Sequence, residues 1–268
     1  MPPLVTFRDA LRAALQHEFN QTWGALPETL YRYVAQERAQ SIREGKLWAS
    51  GLRTHKRAEN GDLHEFTLGW GIVTSTARAL GEESDDELTK DICKMIANDR
   101  DPFTGSYDAY MVCLTTQPNA PHMWDKFADG GGVRFGLRTA ELRQGIRYGG
   151  STPRLLPVRY DPDDLIDAVE TMIRSVAVPN AQSRLATYPH LQRTAAAGQP
   201  YWELRSIFVP MALSFKRGLY RREREWRFIA TPVTEEPIPN ERKGVFFEYE
   251  GPAGSHLPVT DELTRPAT

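Results

Sequence analysis

Two carboxylates near the C-terminal end of the chain, Glu223 and Glu225, have a spacing that suits acid/base chemistry. A period of two residues predicts a strand here, with both glutamates on one face and Arg224, Trp226 and Phe228 on the other, core-facing side. Neighbouring carboxylates repel each other, and this repulsion raises the pKa of one of them. The pattern therefore predicts a candidate acid/base site on a late strand.

The same spacing is also typical of a solvated edge strand, in which the acids pair with Arg222, Arg224 and Arg227. Lys216 and Arg227 are further candidate partners of Glu223 and Glu225, and such pairing lowers the pKa of a carboxyl group and opposes the repulsion. The sequence alone leaves these alternatives open.

Polar residues on two earlier predicted strands extend the candidate site. Arg32 shares a face with Leu30 and Val34, and an arginine on an apolar face requires an acceptor. That acceptor is either a structural carboxylate or a bound phosphate. Thr115 and Thr116 follow a near-continuous apolar run at 109–114 that predicts a buried strand. Their hydroxyls either cap a turn or contact a ligand.

Composition limits the class of protein. The chain has 268 residues and a net charge of -2, so no global basic field indicates a nucleic-acid partner. Its two cysteines indicate reduced thiols, and we expect a cytoplasmic protein with no membrane partner, since neither a signal peptide nor a membrane-spanning run is present. The six histidines lack zinc-ligand spacing, so we expect no metal site.

The predicted elements mix helices and strands without a regular βαβ alternation, which favours an α+β fold with a mixed or antiparallel β core and flanking helices. Residues 1–27 are predicted to form an N-terminal helix, 28–250 a single domain and 251–268 a loose tail. Residues 180–200 are interpreted as a helical insertion or a mobile loop. Further helices are predicted at 36–44, 85–97 and 122–128, from Asp161 onward, and at 202–215; further strands are predicted at 133–138, 156–160 and 244–249.

Several short motifs in order resemble domain-of-unknown-function family 2971, which is found in bacteria. The resemblance covers most of 28–230, and its most specific parts are Met123-Trp124 and Glu223-x-Glu225-Trp226-Arg227. Three departures from the family are Phe127 in place of tyrosine, Thr116 in place of serine, and Asn60-Gly61-Asp62 in place of Asn-Asp-Pro. The other matching segments are Leu30-Tyr31-Arg32-Tyr33, Leu114-Thr115-Thr116, Val158-x-Tyr160, and Lys216 with Tyr220.

The order arginine, hydroxyl, Glu-x-Glu also resembles the Arg-Ser-Glu class of ADP-ribosyltransferases, which implies a split sheet and NAD as the substrate. By this resemblance Arg32 holds an NAD phosphate, and Thr115 and Thr116 contact the nicotinamide ribose. Trp124 stacks on a flat ring, although a tryptophan beside Met123 at helical spacing is also typical of a hydrophobic core.

The resemblance assigns the catalytic roles to the two glutamates. Glu225 bonds the ribose hydroxyl and stabilises the oxocarbenium-like transition state, while Glu223 orients or deprotonates the acceptor. It further implies an ADP-ribosyltransferase or NAD glycohydrolase that acts as a toxin or anti-phage defence effector. The acceptor, protein or nucleic acid, is not identified.

Two other functions compete with this one. The first is a binding module with the same fold that recognises a nucleotide or a protein without turnover. The second is an effector that acts on nucleic acid, in which Arg217, Arg221, Arg222 and Arg224 meet phosphates.

Overall fold

The computed structural model describes residues 26–52, 62–99, 109–128, 131–149, 153–231, 244–251 and 256–265. Within these ranges lie nine strands and eight α-helices. The strands are β1 (Thr29–Val34), β2 (Lys46–Gly51), β3 (Tyr110–Thr115), β4 (Gly132–Arg138), β5 (Ile146–Arg147), β6 (Arg154–Pro157), β7 (Glu225–Ala230), β8 (Gly244–Tyr249) and β9 (Val259–Arg265).

The helices follow the same numbering along the chain. They are α1 (Ala39–Arg43), α2 (Asp62–Glu83), α3 (Glu87–Ala97), α4 (Pro121–Phe127), α5 (Thr139–Gly145), α6 (Pro162–Met172), α7 (Val178–Thr187) and α8 (Arg193–Leu213). Short 3-10 helices occur at Gln36–Arg38 and Gly218–Glu223, and a π-helical segment, Ile173–Ala177, joins α6 to α7.

The chain divides into two compact units, a helical one and one built on the sheet. Of the described residues, the helical unit takes 65–99 and 161–215, and the sheet unit takes the rest. The sequence pattern, which predicts one domain over 28–250, contains no signal for this division.

All strand pairs of the sheet unit are antiparallel, and the strand order is β5-β8-β2-β3-β1-β4-β9, with β7 between β3 and β6. Strands β1 and β2 use the same edge of β3 at opposite ends, because β2 pairs with Tyr110 and Met111 while β1 pairs with Thr115. The two strands therefore diverge along β3, and the sheet has two arms. Helices α1, α4 and α5 pack on β2, β1 and β4.

Strand β7 lies inside the sheet, since it pairs with β3 on one side and with β6 on the other. All six of its residues are buried. The alternative of a solvated edge strand is therefore wrong. Glu223 and Arg224 precede the strand instead of belonging to it, and Arg224 is exposed rather than core-facing.

The helical unit contains α3, α6, α7, α8 and most of α2. Helix α3 begins at Asp86, whose side chain accepts a hydrogen bond from the backbone N–H of Thr89 at 3.0 Å. Helix α6 begins at Asp161 with Pro162 at its first position, as the sequence predicts. Helix α8 contains Pro200 and Pro210. Among the described residues, no helix combines the length and the apolar character needed to cross a bilayer.

The α+β class and the antiparallel core are confirmed, and several segments differ from the predicted elements. No predicted element corresponds to α2, α5, β2 or β5. Residues 180–200 lie in α7, α8 and their short connection, so the helical alternative is correct and the mobile loop is wrong. The predicted loose tail contains β9, which pairs with β4. Nearly all of the predicted N-terminal helix lies outside the described residues.

Candidate functional site

A backbone turn places the two glutamates of the predicted site. Glu223 ends a 3-10 helix and Glu225 begins β7, with Arg224 between them in the left-handed conformation at φ 44° and ψ 50°. This conformation costs a non-glycine residue about 1–2 kcal/mol. Because of the turn, both carboxylates reach Lys216, although they do not alternate along one strand. Its Nζ lies 2.8 Å from Glu223 Oε2 and 2.9 Å from Glu225 Oε2.

The end of β3 holds this turn in place. Thr115 Oγ1 donates a hydrogen bond to the backbone carbonyl of Glu223 at 2.6 Å. The backbone N–H of Thr116 donates to the carbonyl of Arg224 at 3.3 Å, and the side-chain amide of Gln117 to that of Arg222 at 2.5 Å. These three bonds compensate the strain at Arg224.

Two further cations take part in the ion-pair network. Arg227 Nε donates to Glu225 Oε1 at 2.7 Å, and Lys126 Nζ donates to Glu223 Oε1 at 2.9 Å. Arg227 is 1% exposed and Glu225 4% exposed, whereas 45% of the Lys126 side chain is exposed. The predicted pairing of Lys216 and Arg227 with the glutamates is confirmed.

This pairing decides the ionisation of Glu225. Burial raises the pKa of its carboxyl group, but the charges of Arg227 and Lys216 and the hydrogen bond from Arg227 outweigh burial and hold the pKa well below its ordinary value. Glu225 is therefore ionised at neutral pH, and the prediction that carboxylate repulsion raises the pKa is wrong for this residue. The phenol of Tyr160 accepts the backbone N–H of Glu225 at 3.0 Å, and burial raises its pKa to about 12.

Arg32 lies on β1 beside the same carboxylates. Its Nη1 donates to the backbone carbonyl of Cys113 at 2.5 Å. The carbonyls of alternate residues of β3 point to the same edge of the strand. At this edge the carbonyl of Ala109 accepts a hydrogen bond from the backbone N–H of Leu52, which follows β2, and Thr115 pairs with β1. Cys113 lies between these two pairings, where the strands diverge, so the Arg32 side chain occupies the place of a ladder partner. The acceptor that Arg32 requires is a backbone carbonyl here.

Arg32 and the two carboxylates line one small pocket of about 10 Å³. This volume is roughly that of one water molecule. Glu223 and Glu225 line the pocket together with Tyr31, Arg32, Tyr33, Cys113, Leu114, Met123 and Phe127.

A larger cavity of about 240 Å³ shares Arg32, Tyr33 and Phe127 with the small pocket. Three of its lining side chains are cations and one is a carboxylate. Its described lining residues are Arg32, Tyr33, Val34, Ala35, Glu37, Arg38, Lys126 and Phe127. We call it the cationic cavity.

The other predicted ligand-binding residues have structural contacts. The Thr115 side chain is fully buried, and its hydroxyl is used between the carbonyl of Glu223 and the backbone N–H of Gln117. Trp124 is 1% exposed, packs edge-on against Tyr33 at 4.9 Å and belongs to a hydrophobic cluster, so its ring offers no face to a ligand in this structure.

Sequence patterns predict Arg32, Thr115, Glu223 and Glu225 as site residues, and the structure brings these four together. The same patterns do not predict Lys126 or Arg38 as site residues. Lys126 occupies an ordinary exposed position of a short predicted helix, and Arg38 lies in the predicted helix 36–44 without any motif. The one signal that could have indicated Lys126 and Arg38 is the general expectation that two buried acids have cations nearby.

Comparisons of the chain with protein-family models, with curated proteins and with solved structures found no match. The resemblance to family 2971 therefore stays a prediction. Within the described part of the chain, no group of three or more His, Cys, Asp or Glu residues has an arrangement that could hold a metal ion.

Proposed function

We propose that this protein consumes NAD, as an ADP-ribosyltransferase or an NAD glycohydrolase. The observation that carries the proposal is the convergence of Arg32, Thr115 and Glu225, which come from three neighbouring strands, β1, β3 and β7. The order of these residues along the chain is that of the Arg-Ser-Glu class. The divergence of β1 and β2 along one edge of β3 supports the split sheet that belongs to the same proposal.

The ionised state of Glu225 supports a role in this chemistry. The reaction breaks the bond between the ribose carbon and the nicotinamide nitrogen, and the bonding electrons leave with nicotinamide. The ribose becomes an oxocarbenium-like cation, which a carboxylate with a lowered pKa stabilises at neutral pH. Water or an acceptor group then bonds the same carbon and releases its proton to solvent, and Glu223 orients this nucleophile.

Arg32 is proposed to bind the NAD phosphates, since a guanidinium matches phosphate oxygens with two parallel hydrogen bonds. The proposed role as a toxin or defence effector comes from the family resemblance alone. The proposed cytoplasmic setting also draws on the two cysteines, which indicate reduced thiols.

A second candidate is a nucleotide-binding module without turnover. It is favoured by the burial of Glu225, which is 4% exposed, and by the size of the adjoining pocket, which is about 10 Å³. A ribose needs more room than this beside the carboxylate. The groups that the cationic cavity offers to a ligand are chiefly cations, which suit binding of an anion.

The test is release of nicotinamide from NAD by the purified protein, followed by chromatography with and without a bacterial lysate as the source of acceptor. We expect release by the wild type and a decrease of about 100-fold or more in Glu225→Gln. The matched control is Glu248→Gln, which replaces an exposed strand glutamate and should keep wild-type activity. Dependence on the lysate would identify a transferase.

The melting temperature of each variant shows whether it is folded. No release by the wild type, combined with a rise of its melting temperature in NAD, would replace the enzyme by the binding module. No release and no thermal shift would overturn both candidates.

A further inference from the structure

The cationic cavity contains arginines with few counter-charges. Arg32 has one hydrogen bond, to the Cys113 carbonyl, and Arg38 has no hydrogen bond or ion pair from its side chain among the described residues. A guanidinium has five N–H donors, so within the described part of the chain Arg32 keeps four and Arg38 all five. Glu37 is the one carboxylate among the lining residues that the structure describes.

Lys126 is a third cation in the lining of the cavity. One of its three donors contacts Glu223 at 2.9 Å, and two have no partner among the described residues. Its Nζ lies 5.0 Å from the ring centre of Phe127 and 5.4 Å from that of Tyr220, and these contacts hold the flexible side chain at the cavity.

The charge and the size of the cavity define the ligand. Among the described lining residues, Arg32, Arg38 and Lys126 face one carboxylate, Glu37, and Lys126 is also paired with Glu223. The two arginines therefore keep an excess of positive charge over Glu37, which favours an anion. The volume of about 240 Å³ is below the range of about 300–1,000 Å³ that encloses drug-sized ligands. It suits a small, highly charged group rather than a whole dinucleotide.

We propose that the cationic cavity binds the diphosphate group of a nucleotide through Arg32, Arg38 and Lys126. Each guanidinium donates two parallel bonds to phosphate oxygens, and the Lys126 ammonium contributes a further charge. Only the nucleotide part of this inference rests on the proposed function, since the diphosphate site stands on the cavity itself.

The test is calorimetric titration of the protein with inorganic pyrophosphate. We expect the wild type to bind it and Arg38→Gln and Lys126→Gln to weaken binding about ten-fold or more each, since each removes a charged hydrogen bond. Glu37→Gln should bind more tightly than the wild type, because it removes the negative charge of the lining. Lys94→Gln, an exposed lysine on α3 that does not line the cavity, is the matched control and should bind as the wild type does.

The inference is overturned if the wild type does not bind pyrophosphate. It is also overturned if the cavity variants bind pyrophosphate as tightly as Lys94→Gln does. Equal affinity for orthophosphate would overturn the diphosphate assignment. Pyrophosphate binding without NAD cleavage would leave the site standing and reject the proposed enzyme. If the wild type cleaves NAD and the cavity variants bind pyrophosphate as the wild type does, the proposed enzyme stands and the diphosphate site is rejected.

Discussion

Lys216 is the residue on which the charge state of the site depends. It is 4% exposed and its ammonium lies within 3 Å of both Glu223 and Glu225. Two carboxylates this close together repel each other, and the ammonium group that contacts both of them offsets this repulsion with two attractions. The bonds of Thr115 and Thr116 to the turn position the carboxylates, and Lys216 binds both of them.

Replacement of Lys216 by methionine should therefore lower the free energy of unfolding by about 3–5 kcal/mol, because it leaves two buried carboxylates with fewer partners. The matched control is Lys126→Met, which removes the other cation at Glu223. Lys126 is half exposed, so this change should cost under about 1 kcal/mol. Urea unfolding followed by circular dichroism measures both, and equal losses would contradict a decisive role for burial.

At this scale, the sequence predicted the partners that lie close along the chain. Lys216, Glu223, Glu225 and Arg227 lie within one short segment, so their pairing follows from local proximity. The contact of Lys126 with Glu223 joins residues 97 positions apart, and no local pattern encodes it. The same holds for the acceptor of Arg32, which is a carbonyl on another strand.

At the scale of elements, apolar runs identified β3 and the core of β7, while polar or glycine-containing segments were missed. Strand β9 is mostly exposed and so has little hydrophobic pattern. Helix α2 contains Gly69, Gly71 and Gly81, which lower its intrinsic helix propensity. Its formation depends on packing within the helical unit, which the sequence does not display.

The glycines of α2 give a test of this packing. A Cβ at Gly69 would meet the backbone of Ala212 in α8, with its Cα at 2.9 Å, whereas a Cβ at Gly71 meets nothing within 4 Å. Gly69→Ala should destabilise the protein by about 1–3 kcal/mol through overpacking. Gly71→Ala should stabilise it by up to about 1 kcal/mol through helix propensity. Thermal unfolding measures both, and shifts of the same sign would reject the close helix approach.

At the scale of the whole molecule, the distribution of charge differs from its sum. The chain has a net charge of -2, yet the cationic cavity has an excess of positive charge. Local fields of this kind direct ligands to a site irrespective of the total charge. The net charge argued only against a global basic surface. The cavity could be located only from the structure, because its described lining residues come from two separate segments of the chain.

The buried network also links the stability of the molecule to pH. The pKa of Glu225 is lowered in the folded protein, whereas in the unfolded chain it returns to about 4.3. The contribution of Glu225 is therefore complete above about pH 5 and is lost as pH falls towards the lowered folded pKa, because the unfolded state then binds more protons.

Between pH 5 and pH 3, the free energy of unfolding should consequently fall more steeply in the wild type than in Glu225→Gln, which has no proton to bind at this position. Other acids with a lowered pKa, such as Asp86 at the start of α3, contribute to both proteins and cancel in the difference. Glu248→Gln should keep the wild-type slope, since this glutamate is exposed. Urea unfolding at a series of pH values measures the slopes. Parallel slopes for all three proteins would mean that Arg227 and Lys216 do not hold Glu225 ionised in the folded state.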